Sequence, residues 1–164
     1  MNRSNLPDLL NCSIAVIGLG YVGLPLAKII EKNKKCLISG KKINRKIIGY
    51  DLDKNRIKQL INGIDRNNIS GNYGFKKIES LEFTYNLEIL KNVDVFIITV
   101  PTPITKNKDP DLFFIKEASK TVGNLIKSSN STKDNQIIIF ESTVYPGVTE
   151  EICAKELEKN EKLL

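Results

Sequence analysis

Three glycines spaced Gly18-x-Gly20-x-x-Gly23 follow directly on the apolar run Ile14-Ala15-Val16-Ile17 and open an amphipathic segment. The chemistry this order serves is the holding of a pyrophosphate. The first glycine permits a tight turn, the second lets backbone approach the phosphates, and the third lets a new helix press on the strand it has just left. Free N–H groups at the helix start then face the negative charge. A plain glycine loop can carry the same string; its place after an apolar strand is what favours a nucleotide. Asp51, closing the run Lys46-Ile47-Ile48-Gly49-Tyr50, is the second candidate. An acid there accepts hydrogen bonds from both hydroxyls of an adenosine ribose and repels a 2′-phosphate, which favours NAD over NADP. Asp51 lies 28 residues past Gly23, against about 20 in the usual pattern, and capping of the following turn is its alternative role.

These residues need elements to carry them, and the spacing of apolar positions predicts a strand over 13–17 and a helix from Tyr21 to Lys32 that buries Val22, Leu26 and Ile29 or Ile30. Pro25 falls in the first turns of that helix, where a missing N–H costs least. A second strand over 46–50 leads to a short helix capped by Asp53 and carrying Ile57 and Leu60. Residues 62–80, rich in Asn, Gly and Ser, read as loop and irregular helix. Phe83 and Thr84 form a short strand, Asn86 caps a turn over 87–91, and the apolar run 93–100 suits a central parallel strand that stops at Pro101-Thr102-Pro103. A helix over 112–126 places Ile115, Ala118, Val122 and Ile126 on one face. A buried strand over 137–140 then precedes Glu141-Ser142-Thr143 and Pro146-Gly147, and 148–157 returns to helical spacing. Strands and helices in alternation predict an α/β fold of Rossmann type: a doubly wound parallel sheet with helices on both faces and functional groups where the strands end.

With 164 residues, 41% of them hydrophobic, the chain fills one core. The expected organisation is an N-terminal extension over 1–12, a dinucleotide-binding domain over 13–160 and a tail over 161–164. The net charge of +6 is concentrated in KNKKCLISGKKINRK, where seven of the 25 Lys and Arg residues lie between Lys32 and Lys46. No aromatic side chain stands there to stack on bases, so the stretch reads as a solvated basic loop inserted before the second strand, not a nucleic-acid surface. The three cysteines, at 12, 36 and 153, have no metal-ligand spacing, and the chain has no histidine. No metal is expected. The first residues lack a signal peptide's apolar core, and no apolar run approaches the ~20 residues of a membrane span. A cytoplasmic protein with reduced thiols and no membrane partner is the expectation.

Four separated strings, AVIGLGYVGLPLA, IIGYDLDKNRIKQL, VFIITVPTPI and FESTVYPGVTEE, carry a resemblance to the N-terminal domain of the UDP-glucose/GDP-mannose dehydrogenase family. VPTPI and ESTVYPG look most like the branch that oxidises UDP-N-acetylhexosamines for bacterial surface polysaccharides. The resemblance implies oxidation of a nucleotide sugar's C6 alcohol to a carboxylate, with two NAD reduced per product. It places Gly18, Gly20, Tyr21 and Val22 on the pyrophosphate, Asp51 on the ribose, and Pro101 and Thr102 at the middle of the cofactor. Thr143 matches the threonine that helps hold water near the reaction centre. Glu141 beside it either faces the nicotinamide pocket or caps backbone N–H groups. Ser142 has no histidine to activate it as a nucleophile.

The family's mechanism also needs a cysteine that captures the aldehyde as a thiohemiacetal. None of the three cysteines matches it; Cys153, between Ile152 and Ala154 on a helix, reads as core. The expectation is therefore a truncated product or isolated domain that binds NAD, meets a nucleotide sugar only with the missing C-terminal region, and oxidises none alone. A non-enzymatic NAD-binding or partner-binding domain is the alternative. Relatives in the family dimerise through a long helix this chain lacks, so a monomer, or weak self-association through exposed apolar surface, is expected.

Overall fold

The computed structural model describes residues 6–67, 81–128 and 135–159. Five parallel strands, β1 (Ser13–Ile17), β2 (Lys46–Tyr50), β3 (Leu81–Thr84), β4 (Val95–Ile98) and β5 (Ile137–Phe140), form one sheet in the order β3-β2-β1-β4-β5. The chain moves outward from β1 to β3, then returns to lay β4 on the other side of β1. That reversal opens a crevice at the carboxyl ends of β1 and β4, where a sheet of this kind takes its ligand. At the other end, Asp94 holds the register: its Oδ2 accepts from both the N–H and the hydroxyl of Ser13, each at 2.7 Å.

Alternate side chains of a strand go to opposite faces, and β1 divides accordingly. Ile14 and Val16 join the core beneath α1 (Gly23–Lys32) and α2 (Lys54–Ile61), with Leu24, Ala27, Ile57 and Leu60. Ala15 and Ile17 join the core under α3 (Phe113–Ser128), with Ile115, Ala118 and Val122. Helices thus cover both faces, in the doubly wound arrangement anticipated from the alternating pattern. Asp53 caps α2 as expected, its carboxylate accepting from the Asn55 and Arg56 amides. Asn86 caps the 3₁₀ turn Leu87–Leu90 in the same way.

Three local expectations need correction. α1 starts at Gly23, not Tyr21, and buries Gly23, Leu24, Ala27 and Glu31, while Val22 and Ile29 are exposed and Leu26 and Ile30 are half-buried. The helix pivots on the residue that touches the strand, so the small side chains at 23 and 27 set the inward stripe. β5 is an edge strand and only half-buried, with Ile139 facing out. Residues 148–157 are not one α-helix: a π-helical turn, Val148–Cys153, brings Val148 and Cys153 into the core and runs into α4 (Ala154–Glu158). Of the stretch 62–80, residues 68–80 lie outside the described residues.

The basic insertion is a small hairpin, with an antiparallel bridge between Lys35 and Lys42. It joins the end of α1 to the start of β2 and is tied to residues ahead of β1, Asn44 N–H to Leu10 O at 2.7 Å and Arg45 Nε to Leu9 O at 2.6 Å. The insertion therefore sits at the amino end of the sheet, away from the crevice. Its tip exposes Leu37 and Ile38 fully.

Cys12 and Cys153 are buried in the two cores, and burial raises both thiols above their ordinary range. Cys36, in the hairpin, has its thiol lowered, first by a hydrogen bond with the Ser39 side chain and then by backbone groups of Ser39 and Ile38. In native protein at mildly alkaline pH, mass spectrometry after brief alkylation is expected to find Cys36 modified first, with Cys12 and Cys153 labelled only on unfolding. The packing of α4 on α3 yields a second prediction. A Cβ on Gly123 would overlap the Leu157 carbonyl oxygen and stand 3.0 Å from Leu157 Cα. Gly123→Ala should cost about 1–3 kcal/mol by overpacking, read as a lower midpoint in thermal or urea unfolding.

Candidate dinucleotide-binding site

The site begins with the turn after β1. Gly18 has φ +95°, a left-handed conformation that disfavours any side chain, and its N–H donates to Tyr50 O at 2.8 Å. Gly23 opens α1 so close to this turn that a Cβ would overlap both the Gly18 carbonyl oxygen and the Thr99 hydroxyl. At Gly20 the same atom would meet nothing within 4 Å. The first and third glycines are thus required by the protein's own packing, whereas the second borders open space where a ligand's phosphates can approach. The amides of Gly20, Tyr21, Val22 and Gly23 donate to no group among the described residues, and Tyr21 and Val22 are exposed. A helix start with four uncommitted donors beside an open surface suits an anion.

Asp51 stands beside this turn. Its Oδ2 accepts from the Leu19 N–H at 2.8 Å and its Oδ1 from the Asp53 N–H at 2.9 Å. Both roles weighed for it are therefore compatible. The carboxylate caps the turn after β2 and joins it to the glycine loop, and each oxygen retains acceptor capacity for a hydroxyl. Asp51 is half-buried, within reach of a ligand.

The loops after β4 and β5 form the other half. Pro101 is exposed and Thr102 half-buried just beyond β4. The Thr102 hydroxyl donates to Thr143 O at 2.6 Å, Ser142 Oγ donates to Val100 O at 2.7 Å, and the Glu141 N–H reaches Ile98 O at 2.9 Å. Pro101, Thr102, Glu141 and Thr143 are brought together in this way. The side chains of Glu141 and Thr143 are exposed and accept no hydrogen bond from the described residues. Gly147, at φ +93°, turns the chain into the π-helical segment.

Two residues central to this geometry were not singled out in the sequence. Thr99 is buried at the end of β4, its hydroxyl proton shared between Ile17 O at 3.0 Å and Gly18 O at 2.7 Å. It welds the two halves of the crevice. The signal for it was present, as a hydroxyl closing the otherwise apolar run 95–100. Arg56 is 1% exposed on α2; its Nε donates to Leu19 O at 3.1 Å and its guanidinium pairs with Asp65 at 2.8 Å. Nothing in the sequence separates it from the other 24 basic residues.

Comparison with known proteins identifies this arrangement. Residues 12–163 match the model of the UDP-glucose/GDP-mannose dehydrogenase family, NAD binding domain. The chain is 44% identical over 146 residues to UDP-N-acetyl-D-glucosamine 6-dehydrogenase of Pseudomonas aeruginosa, covering 89% of itself and 31% of that protein. It is 46% identical over 150 residues to Protein CapL of Staphylococcus aureus, covering 92% and 31%. Among solved structures, a UDP-D-ManNAc dehydrogenase from Pyrococcus horikoshii superposes with a TM-score of 0.70 at 32% identity, covering 90% of this chain and 32% of that one. The chain spans about a third of the length of these relatives. With a parallel sheet wound on both faces, a glycine turn of this geometry and a match along nearly its whole length, the chain belongs to the UDP-glucose/GDP-mannose dehydrogenase family, of which it is an NAD-binding domain.

Proposed function

We propose that this chain is the cofactor half of a nucleotide-sugar 6-dehydrogenase acting on a UDP-N-acetylhexosamine. The observation that carries this is the row of uncommitted amides from Gly20 to Gly23, in open space beside the Asp51 carboxylate. The pyrophosphate of NAD lies against Gly18, Gly20, Tyr21, Val22 and Gly23, and Asp51 takes the adenosine ribose hydroxyls. Pro101 and Thr102 border the middle of the cofactor, while Glu141 and Thr143 line the nicotinamide end, Thr143 placed to hold water. When bound, NAD supplies the hydride acceptor for oxidation of the sugar's C6 alcohol. The substrate class is favoured by the relatives whose names specify 6-dehydrogenation of UDP-N-acetyl-D-glucosamine. None of the three cysteines stands at the crevice: two are in the cores and the third is in the hairpin at the opposite end. The 164 residues therefore bind cofactor without providing a thiol to carry the aldehyde.

Calorimetric titration tests the cofactor. NAD should bind saturably and about 10-fold or more tighter than NADP, since a 2′-phosphate beside a carboxylate a few ångströms away costs about 1–4 kcal/mol. Asp51→Ala should weaken NAD by about 10-fold or more, the loss of hydrogen bonds to a charged group, and narrow the preference over NADP. Equal affinity for the two dinucleotides would contradict the ribose assignment. In a steady-state assay with NAD and UDP-N-acetylglucosamine, the 164-residue chain should form no NADH above blank.

The two outer positions of the glycine triplet separate from the middle one. Gly20→Ala should unfold within about 1 °C of the parent, because its Cβ meets nothing, yet should lose most NAD affinity by occupying the phosphate approach. Gly23→Ala should lower the unfolding midpoint by several degrees, in line with about 1–3 kcal/mol of overpacking.

A further inference from the structure

Arg56 is an expensive residue to keep where it is. Its guanidinium is buried on α2 with Asp65, whose side chain is only 6% exposed. Not every polar atom of the pair is satisfied: Arg56 Nη1 and Nη2 and Asp65 Oδ2 have no hydrogen-bond partner among the described residues, so Nη2 and Asp65 Oδ1, 2.8 Å apart, are joined by charge. For stability alone, a buried ion pair is commonly matched or bettered by apolar side chains of similar volume. What the arginine does uniquely is donate from Nε to the carbonyl oxygen of Leu19, the residue between the first two glycines.

The peptide that follows that carbonyl is trans, like every described peptide bond in the chain. In a trans peptide the C=O and the next N–H point in opposite directions. With the Leu19 oxygen drawn inward to Arg56, the Gly20 N–H must point the other way, out of the fold. Leu19 is held at three points: its N–H by Asp51, its side chain in the core and its C=O by Arg56. Only the last fixes the plane of the Leu19–Gly20 peptide. Gly20 has no side chain of its own to resist rotation, and without an acceptor-side anchor this peptide can turn its carbonyl oxygen toward the ligand. An oxygen facing a pyrophosphate repels it where an N–H would bind it.

We infer that Arg56, locked by Asp65, is a positioning residue for cofactor binding: it holds the Leu19 carbonyl inward so that the Gly20 N–H is presented to the pyrophosphate. This rests on the placement of the pyrophosphate proposed above. Arg56 touches no ligand in this role. The segment after α2 serves the same end, since the turn at Gly63 returns Asp65 to Arg56 and Arg66 to the α2 cap Asp53, at 3.0 Å.

The test is a comparison of ligands that share a nucleoside and differ in phosphate. The 164-residue chain, Arg56→Met and Asp65→Asn are titrated with NAD, ADP-ribose and adenosine, following backbone amides by ¹H–¹⁵N NMR, with thermal unfolding of each variant as a control. Arg56→Met is expected to weaken NAD and ADP-ribose by about 10-fold or more, to leave adenosine within about twofold, and to shift the Gly20 amide resonance before ligand is added. Asp65→Asn should show the same ligand selectivity with a smaller loss, and it decides the matter if Arg56→Met does not fold. Equal weakening of all three ligands would mean a general loosening of the domain and overturn the inference, as would unchanged affinity. If NAD binds the parent chain without perturbing the Gly20 and Tyr21 amides, the pyrophosphate placement itself fails and this inference falls with it.

Discussion

A side chain at residue 23 would collide with the turn that leaves β1, and the crevice depends on that close approach. The first turn of α1 meets the end of β1 so closely that the Gly18 carbonyl and the Thr99 hydroxyl fill the space a Cβ would need. Because the helix starts hard against the strand, its first amides cannot be satisfied by a preceding turn, and they open onto the crevice at the carboxyl end of the sheet. The left-handed turn at Gly18 is the other half of the same constraint, since the chain must reverse within a few residues to bring Gly23 back. Backbone conformation, helix placement and ligand chemistry thus meet in one contact.

Around that contact the polar groups form a closed set. Thr99 shares its proton between the carbonyls of Ile17 and Gly18, Asp51 takes the Leu19 amide, and Arg56 takes the Leu19 carbonyl. Each comes from a different element, β4, the end of β2 and α2, so the loop is braced from three directions. What the stretch 18–23 offers an anion is backbone donors and a helix start, since it contains no lysine or arginine. The densest positive charge sits instead on the hairpin at the amino end of the sheet. Exposed apolar side chains occur at both ends of the sheet: Leu37 and Ile38 at the tip of that hairpin, and Tyr21, Val22, Leu52, Tyr85, Ile104 and Tyr145 in the segments that follow the carboxyl ends of strands.

Most of the architecture was legible in the sequence because it follows from local rules. The bounds of β1 and β2, the cap of α2 at Asp53 and the turn capped by Asn86 each depend on a few neighbouring residues. Where the expectations missed, a contact distant in sequence had intervened. The inward face of α1 is set by Gly23 meeting the β1 turn and Thr99, not by the most apolar stripe, so Val22 and Ile29 face out. β5 is apolar enough to be central but has only one neighbour in the sheet. Val148 and Cys153 reach the core through a π-helical turn that no helical period anticipates.

The sequence by itself determined the class of fold and the kind of ligand. Alternating strand and helix periods leave a doubly wound sheet as the economical packing, and a glycine triplet between a strand and a helix has few uses besides a pyrophosphate. Only the tertiary structure decided which neighbours enforce the glycine roles: a Cβ at Gly23 would collide with the Gly18 carbonyl and with Thr99, 76 residues away, Gly18 holds its left-handed turn close against Thr99, and Gly20 is left open. It also decided that the basic insertion lies at the far end of the sheet from the crevice, and that Arg56, alone among the described basic residues, hydrogen-bonds to the glycine loop. Periodicity reports which side of an element is buried; which partner it is buried against depends on strand order, and strand order is a property of the whole chain.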